Sequence, residues 1–189
     1  MRVEEPRRAV FLDRDGTINE EREYLHRVEE FAFIPGVPAA IRDLRRAGFL
    51  VIVLTNQSGI GRGYYDEAAL ARLHAHMDSE LAREGAAVDA YYFCPHHPKH
   101  GVGDYRRECD CRKPLPGMLL AAAREWHVDL DASYLVGDKL ADVEAAQAAG
   151  CRPILVRTGY GAAEALKVPS EVPVCTDLPE AVRLIVSAA

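Results

Sequence analysis

Residues 9–17 read AVFLDRDGT, and this stretch decides the fold class of the chain. Four consecutive apolar residues indicate a strand that is buried on both faces, and the polar letters that follow indicate a turn at its carboxyl end. Similar apolar runs recur along the chain, so that the predicted strands lie at residues 8–12, 50–54, 88–93, 133–136, 153–156 and 172–175. The repetition of such runs is typical of a parallel sheet.

Helical periodicity separates these runs. Leu70, Leu73, Met77 and Leu81 recur at helical spacing after Asp66, and a second apolar face over residues 40–47 ends at a glycine. Alternation of strands and helices predicts a doubly wound parallel α/β sheet. The length of 189 residues suits one domain with a full core, and we expect residues 1–189 to form it.

Composition excludes several functional classes. The chain has 29 acidic and 23 basic side chains and a formal charge of -6, so no overall positive field attracts nucleic acid or anionic lipid. Its apolar runs are much shorter than the roughly 18 residues that a membrane span requires. Residues 1–8 alternate charges without the apolar core of a secretory signal. We therefore expect a cytoplasmic protein with reduced thiols.

Polar residues follow three of the predicted strands, at the edge where α/β sheets bind ligands. The segments are residues 13–17 (DRDGT), 55–59 (TNQSG) and 137–142 (GDKLAD). Paired carboxylates such as Asp13 and Asp15 can divide roles. One binds a hard cation and attacks an electrophile, and the other, kept partly protonated by its neighbour's charge, acts as general acid and then base. Asp138 can complete an oxygen-ligand magnesium site.

Two irregular segments interrupt the α/β pattern. Residues 19–33 mix charges with Tyr24, Leu25 and Phe31, directly after the first predicted strand and so beside the candidate site. Residues 95–113 form a long polar break, and three cysteines fall within or next to it. A break of this length needs a structural or functional reason.

The cysteines of the second segment have the composition of a zinc site. Three thiols and an imidazole form a tetrahedral zinc set, and a saturated set of this kind is structural. A disulfide between Cys109 and Cys111, which are separated by a single residue, would be strained. Spacing leaves the histidine open, since His96, His97 and His100 are all near. The remaining cysteines, Cys151 and Cys175, lie in apolar surroundings and are expected to be core thiols. The predicted thiol ligands are Cys94, Cys109 and Cys111.

Four motifs, DRDGT, TNQSG, RKP and GDKxxD, occur in an order and spacing that resemble the haloacid dehalogenase superfamily of phosphatases, over about residues 8–161. The resemblance implies that Asp13 attacks phosphorus and that Asp15 protonates the leaving alkoxide and later deprotonates water. Magnesium would be held by Asp13, the backbone carbonyl of Asp15 and Asp138. Thr55 would supply a hydroxyl and Lys113 a positive charge to the phosphoryl oxygens.

The zinc loop, residues 94–112, narrows the resemblance. Together with the absence of a large cap segment, CPHHP and CDCRKP resemble the heptose 1,7-bisphosphate phosphatases within that superfamily, and this resemblance selects His96 as the zinc ligand. It implies removal of the 7-phosphate, with Arg112 as the candidate partner for the 1-phosphate. Asp142 would orient Lys113 or Lys139. The implied substrate-binding residues are Glu21, Tyr24, Asn56, Gln57, Ser58, Arg112 and Lys139.

Other functions remain open at this point. Histidinol-phosphate phosphatase shares the scaffold and the zinc loop, but its substrate carries an ammonium and an imidazole where the heptose substrate carries a second phosphate. A polynucleotide 3′-phosphatase is disfavoured because the chain shows no basic stripe with interleaved aromatics. A catalytically silent zinc-stabilised binding module is a third alternative. If the heptose function holds, the chain is expected to act as a monomer on a small phosphorylated sugar, in activated-heptose synthesis for lipopolysaccharide or glycoprotein, with either anomer possible.

Overall fold

The predicted strands form one parallel sheet in a computed structural model that describes residues 6–188. Residues 1–5, part of the charged N-terminal segment on which the expected location rests, lie outside the described residues. The strands are β1 (Ala9–Leu12), β2 (Leu50–Asn56), β3 (Ala90–Cys94), β4 (Tyr134–Gly137), β5 (Arg152–Val156) and β6 (Val174–Cys175). All six predicted strands are confirmed, and β3 is only half-buried because it lies at an edge of the sheet.

The strand order is β3-β2-β1-β4-β5-β6, and all neighbours are parallel. The chain extends from β1 to β3 on one side and then returns to place β4 beside β1, which makes the β1/β4 boundary the topological switch point. Leu12 is in register with Val53 on one side and with Val136 on the other. The residues that follow β1, β2 and β4 therefore meet at one edge of the sheet.

Helices cover both faces of the sheet, which confirms the predicted doubly wound architecture. Helices α1, α3 and α7 pack on one face, and α4 and α5 pack on the other. The helices are α1 (Val37–Arg46), α2 (Ser58–Gly61), α3 (Glu67–Arg83), α4 (Gly117–Trp126), α5 (Leu140–Ala149), α6 (Gly161–Glu164) and α7 (Leu178–Ser187).

The sequence pattern explains how β1 becomes the centre of two cores. Successive side chains of a strand point to opposite faces, so Val10 and Leu12 enter the core under α1 and α7, while Ala9 and Phe11 enter the core under α4 and α5. All four side chains are completely buried. An apolar run without alternation is thus what a strand between two helical layers requires.

The predicted helix after Asp66 is α3. The Asp66 carboxylate accepts a 2.7 Å hydrogen bond from the amide of Ala69, which caps the first turn. The four apolar residues that predicted the helix are all buried on it. The predicted face over residues 40–47 belongs to α1, whose chain leaves the helix at Gly48 with a φ of 85°, a backbone conformation that favours glycine.

The two irregular segments run over the carboxyl edge of the sheet. The first is held by a bridge between Asn19 and Phe33 and contains one 3₁₀ turn, Val28–Glu30. Leu25 is 2% exposed, so this segment packs inward. The second segment contains a 3₁₀ turn at Gly103–Tyr105. Within residues 6–188, no helix combines the length and the apolar character that crossing a membrane demands.

Candidate active site

A buried ion triad lies at the carboxyl ends of β1 and β2. The Asp13 amide donates to the Val136 carbonyl at 2.9 Å, which continues the sheet pairing by one residue. The Lys113 ammonium donates to Asp13 Oδ1 at 2.8 Å and to the Leu54 carbonyl at 2.7 Å, and lies 2.6 Å from Asp142 Oδ1. Burial opposes the charge of Lys113, but the two carboxylates outweigh it and raise its pKa.

Asp138 brings an unpaired carboxylate oxygen to the same place. Its Oδ2 accepts a 2.8 Å hydrogen bond from the Tyr160 amide, whereas its buried Oδ1 has no hydrogen-bond partner among the described residues. Burial, followed by the charge of Asp13, raises the pKa of Asp138 to about 8. Gly16 and Gly159 make room for this side chain, because a Cβ atom at either position would lie 2.2 Å from Oδ2.

The three aspartates form a group that can hold a cation. Ligand atoms of Asp13, Asp138 and Asp142 all lie within 4.8 Å of one another. Both oxygens of Asp142 are already in use, one on Lys113 and the other on the Lys139 amide at 3.0 Å. The open donors are therefore on Asp13 and Asp138, two of the residues that the resemblance implies as magnesium ligands, and Asp142 is paired with the lysine. We call Asp13, Asp138, Asp142 and Lys113 the carboxylate cluster.

Asp15 differs from the sequence expectation in its protonation. Burial raises its pKa, yet the adjacent Arg14 guanidinium and a 3.0 Å hydrogen bond from Asn19 bring the pKa below its ordinary value. Arg14 donates at 2.9 Å to each carboxylate oxygen. The expectation that the charge of Asp13 keeps Asp15 partly protonated is therefore wrong for the protein without substrate. That expectation did not include the Arg14 guanidinium, which is paired with the Asp15 carboxylate.

Gln57 organises the side chains that follow β2. Its amide nitrogen donates to Thr55 Oγ1 at 2.8 Å and to Asp15 Oδ2 at 3.2 Å, and its oxygen accepts from the Tyr65 hydroxyl. Since Thr55 Oγ1 accepts from Gln57, its hydroxyl proton remains available to a ligand in the cavity. Gln57 is 3% exposed, its side chain is fully engaged, and its backbone amide donates to the Cys94 carbonyl at 2.8 Å. It therefore offers no free donor for the predicted contact with substrate.

Asn56 is similarly engaged by the chain itself. Its side-chain oxygen accepts from the Lys113 amide at 3.1 Å, and its side-chain nitrogen donates to the Lys113 carbonyl at 3.0 Å. This two-way pairing fixes the backbone of Lys113 at the end of a long loop. The predicted role of Asn56 in binding substrate therefore narrows to its backbone amide.

A cavity of about 350 Å³ opens above these residues, a size suited to a small metabolite. Five carboxylates and three cations line it. Lys139 lies 3.3 Å from Glu21 and 4.7 Å from the centre of the Tyr160 ring. Arg112 donates to the His96 carbonyl at 3.3 Å. All predicted substrate-binding residues line this cavity: Glu21, Tyr24, Asn56, Gln57, Ser58, Arg112 and Lys139.

The predicted zinc ligands also come together. The Sγ atoms of Cys94 and Cys111 are 3.2 Å apart, those of Cys94 and Cys109 are 3.5 Å apart, and His96 Nδ1 lies 3.5 Å from Cys111 Sγ. Zinc–sulfur bonds of about 2.3 Å in a tetrahedron place sulfurs about 3.8 Å apart, so a modest expansion fits zinc. We call Cys94, His96, Cys109 and Cys111 the thiol cluster.

The structure selects among the histidines that spacing left open. His96 points into the thiol cluster, whereas His97 Nδ1 accepts hydrogen bonds from the amides of Lys99 and His100 at 3.2 and 3.1 Å. Cys151 and Cys175 are buried in the two cores, as predicted, and all five cysteines are free thiols.

Two polar residues of the site had no predicted structural role. Arg14 is completely buried against Asp15, and Tyr160 supplies the amide that Asp138 accepts from. The sequence signal for Arg14 is its position between two acidic residues in DRD, since a cation there either faces solvent or pairs with one of them. Tyr160 has no comparable signal, because it acts through its backbone.

Known proteins are similar to this chain in sequence and in fold. A family model described as HAD-hydrolase-like matches residues 110–181. Proteins named D-glycero-beta-D-manno-heptose-1,7-bisphosphate 7-phosphatase are similar to this chain: one from Escherichia coli (strain K12) is 52% identical over 152 residues, covering 80% of each chain. One from Photorhabdus laumondii is 45% identical over 181 residues, covering 95% of this chain and 90% of its own.

Solved structures agree with the sequence relatives. The D,D-heptose 1,7-bisphosphate phosphatase of B. bronchiseptica, crystallised with magnesium and phosphate, superimposes with a TM-score of 0.88 at 39% identity, covering 96% of this chain and 99% of its own. The corresponding phosphatase of Burkholderia thailandensis gives a TM-score of 0.71 at 34% identity, covering 95% of this chain and 99% of its own.

Proposed function

Because the chain belongs to the family of heptose-1,7-bisphosphate 7-phosphatases, we propose that it hydrolyses the 7-phosphate of D-glycero-D-manno-heptose 1,7-bisphosphate and releases the 1-phosphate. The curated relatives are named for the β anomer, which supports that anomer as the substrate. The product would enter activated-heptose synthesis, as in the making of lipopolysaccharide. The relatives are named for a heptose bisphosphate, which disfavours histidinol phosphate as the substrate.

The observation that carries the proposal is the carboxylate cluster. It combines the buried Asp13 carboxylate, which is paired with Lys113, and an unpaired carboxylate oxygen of Asp138. The adjacent cavity is lined by more acidic than basic side chains. A phosphate ester cannot enter such a cavity without further positive charge. A cation held by Asp13 and Asp138 supplies that charge, so the arrangement suits metal-assisted phosphoryl transfer.

In the first step, an oxygen of Asp13 forms a bond to phosphorus while the bond from phosphorus to the sugar oxygen breaks. Lys113, held by three acceptors, lies where the phosphoryl oxygens gather negative charge. The Thr55 hydroxyl donates a further hydrogen bond. Asp15 gives its proton to the departing alkoxide, and the charge of a phosphate in the cavity favours the protonated Asp15 that this requires.

In the second step, water attacks the phospho-aspartyl group. Asp15 is now ionised, which is the form that Arg14 and Asn19 favour, and it accepts a proton from that water. The bond between phosphorus and the Asp13 oxygen breaks, so phosphate leaves and the Asp13 carboxylate returns. The resting ionisation of Asp15 therefore suits its role as base, and the presence of substrate suits its role as acid.

We propose magnesium as the cation of the carboxylate cluster, because its ligands are oxygens and its open donors lie on Asp13 and Asp138. The backbone carbonyl of Asp15 is the third proposed ligand. When bound, magnesium reduces the repulsion between an anionic nucleophile and an anionic ester. The similar B. bronchiseptica phosphatase was crystallised with this ion.

We propose zinc for the thiol cluster, because three thiols and one imidazole saturate a tetrahedral ion and leave no position for water. Its role would be structural. The cluster joins the end of β3 to residues 109 and 111, next to the two cations Arg112 and Lys113. Ordering this loop fixes both cations at the cavity.

The second phosphate requires a second cationic partner. Arg112 and Lys139 line the cavity outside the carboxylate cluster, and Arg112 is the proposed partner because guanidinium binds phosphate through two parallel hydrogen bonds. Lys139 is paired with Glu21, whose carboxylate faces the cavity. We propose that Glu21 and Tyr24 contact sugar hydroxyls, since a carboxylate would repel phosphate.

The test is phosphate release by the purified protein with magnesium, on both anomers of heptose 1,7-bisphosphate and on histidinol phosphate at matched concentrations. We expect kcat/KM for the β bisphosphate to exceed that for histidinol phosphate at least about a hundredfold, or about 2.7 kcal/mol in transition-state stabilisation. A preference for histidinol phosphate would refute the substrate assignment. No turnover of any phosphate ester would favour the silent binding module.

A further inference from the structure

Arg14 lies between Asp13 and Asp15 in the sequence, and its side chain is inaccessible to solvent. Its side chain is among the largest completely buried side chains described. A buried guanidinium needs partners for its five N–H groups. The identity of those partners shows what the residue does.

The guanidinium of Arg14 binds the Asp15 carboxylate. Nη2 lies 2.9 Å from both carboxylate oxygens, and Nε donates to Oδ1 at 3.2 Å. Asn19 and Gln57 donate to the same carboxylate at 3.0 and 3.2 Å. These contacts fix the rotation of the carboxylate from three directions, and only Arg14 contributes a charge.

The guanidinium also binds the 19–33 segment, which contributes Leu25 to the cavity wall. Nη2 donates to the Leu25 carbonyl at 3.2 Å, and Nη1 lies 3.4 Å from His74 Nε2 on α3. His74 stacks on Tyr91 with ring centres 4.2 Å apart. Burial and the nearby guanidinium lower the pKa of His74 to about 3, so its ring is neutral and can accept. Arg14 thus connects Asp15 to two other parts of the chain, at Leu25 and at His74.

We propose that Arg14 is a positioning residue, which holds the Asp15 carboxylate at the angle from which it exchanges protons with the leaving group and with water, and which fixes Leu25 at the cavity wall. This inference rests on the proposed phosphatase function. Lysine cannot replace arginine here, because one ammonium cannot reach both carboxylate oxygens, the Leu25 carbonyl and His74 together.

The role predicts a dependence on the leaving group. A sugar alkoxide must be protonated as it departs, whereas p-nitrophenolate departs without a proton. Loss of the correct Asp15 orientation therefore slows both steps for a sugar phosphate, but only the second step for p-nitrophenyl phosphate. With the aryl ester, the phospho-aspartyl group should then accumulate.

The experiment compares Arg14→Lys and Arg14→Met with wild type on heptose 1,7-bisphosphate and on p-nitrophenyl phosphate, in stopped-flow and steady-state assays with magnesium. Arg45→Met is the matched control, because it removes an arginine from another ion pair, that with Asp89 at 2.6 Å, away from the cavity. Circular dichroism records folding. Arg14→Lys keeps the buried positive charge and carries the test where Arg14→Met does not fold.

We expect Arg14→Lys to lower kcat on the bisphosphate by about 30- to 100-fold, within the range of acid–base catalysis. We also expect KM to stay within about threefold, since the phosphate contacts remain. On p-nitrophenyl phosphate it should give a burst of about one nitrophenolate per enzyme before slow turnover. Equal losses on both substrates without a burst would overturn the proposal and make Arg14 purely structural.

Failure of the proposed function gives a different result. Were wild type active on p-nitrophenyl phosphate and inactive on heptose bisphosphate, the substrate assignment would be wrong. The burst of Arg14→Lys on the aryl ester would still support the positioning role, and its absence would still refute it.

Discussion

The carboxylate cluster and the thiol cluster both gather side chains that can hold a metal, but they differ in what surrounds them. Asp13, Asp138 and Asp142 share their space with the cation Lys113 and open towards the cavity. Cys94, His96, Cys109 and Cys111 hold one another and leave no ligand position over. The first arrangement suits the proposed reaction, and the second suits the proposed structural zinc.

Their positions in the fold follow the same division. Asp13 and Asp138 directly follow the central strands β1 and β4, and Asp142 lies in the first turn of α5. The thiols stand at the edge strand β3 and on a polar loop. A loop of this kind has little apolar surface to bury, so the proposed zinc would supply the stability that a core supplies elsewhere. The two clusters meet at Arg112 and Lys113, which follow Cys111 directly.

The largest effect that separates the clusters is expected from Asp13→Asn. The change removes the nucleophile, so kcat should fall by at least about 10⁴-fold, while the thiol cluster keeps its zinc. Phosphate release and zinc per chain measure the two results on one preparation. More than about 1% residual turnover would show that Asp13 does not attack phosphorus.

Cys109→Ser is expected to act in the opposite way. Zinc should be lost, and KM for the bisphosphate should rise about 30-fold because Arg112 loses its fixed position, while kcat falls no more than about threefold. Cys151→Ser is the matched control, because the same atom is changed at a buried cysteine outside the cluster. Unchanged zinc content in Cys109→Ser would remove the thiol cluster as a zinc site.

Arg112→Ala tests the connection between the clusters at a single side chain. We expect KM for heptose 1,7-bisphosphate to rise about tenfold and KM for a sugar monophosphate to change by less than about twofold, because only the former has a second phosphate to lose. Zinc content should not change. Equal increases for both substrates would take Arg112 out of the second-phosphate site.

The smallest effect is the contribution of Asp138, in the carboxylate cluster, to the pH dependence of stability. The pKa of Asp138 is raised to about 8 in the folded protein, so the folded state binds more protons than the unfolded state between the ordinary value of 3.8 and about 8. Stability from this group is therefore present at low pH and lost as pH rises through that window.

Thermal unfolding of magnesium-free protein should show this dependence. We expect Tm to fall by about 3–6 °C between pH 5.5 and pH 8, and magnesium to reduce the fall by favouring the ionised carboxylates. Asp138→Asn is the control and should flatten the profile. A profile that stays unchanged on adding magnesium would argue against a cation at Asp138.

Most of the fold could be predicted because it depends on local patterns. A strand between two helical layers has no solvent-facing side, so AVFL of β1 is recognisable without its neighbours. Helix α3 shows its cap and its apolar face in the sequence. The 19–33 segment carries no such pattern, because its conformation depends on a distant guanidinium and on the bridge from Asn19 to Phe33.

The grouping of residues in the candidate site was predictable where chemistry restricts the residue type, as with Asp13, Lys113 and the three thiols. Roles that depend on which partner a polar side chain meets were not predictable. Asn56 pairs with the Lys113 backbone and Gln57 with Thr55. Arg14 reverses the expected protonation of Asp15. These outcomes follow from three-dimensional neighbours that motif spacing does not specify.

The most direct test of the central claim is to follow the two phosphorus signals of β-heptose 1,7-bisphosphate by NMR during incubation with the protein and magnesium. The account predicts that the 7-phosphate signal disappears and the anomeric 1-phosphate signal persists, with no reaction after magnesium is removed. Loss of the anomeric phosphate first, or equal rates with and without magnesium, would contradict it.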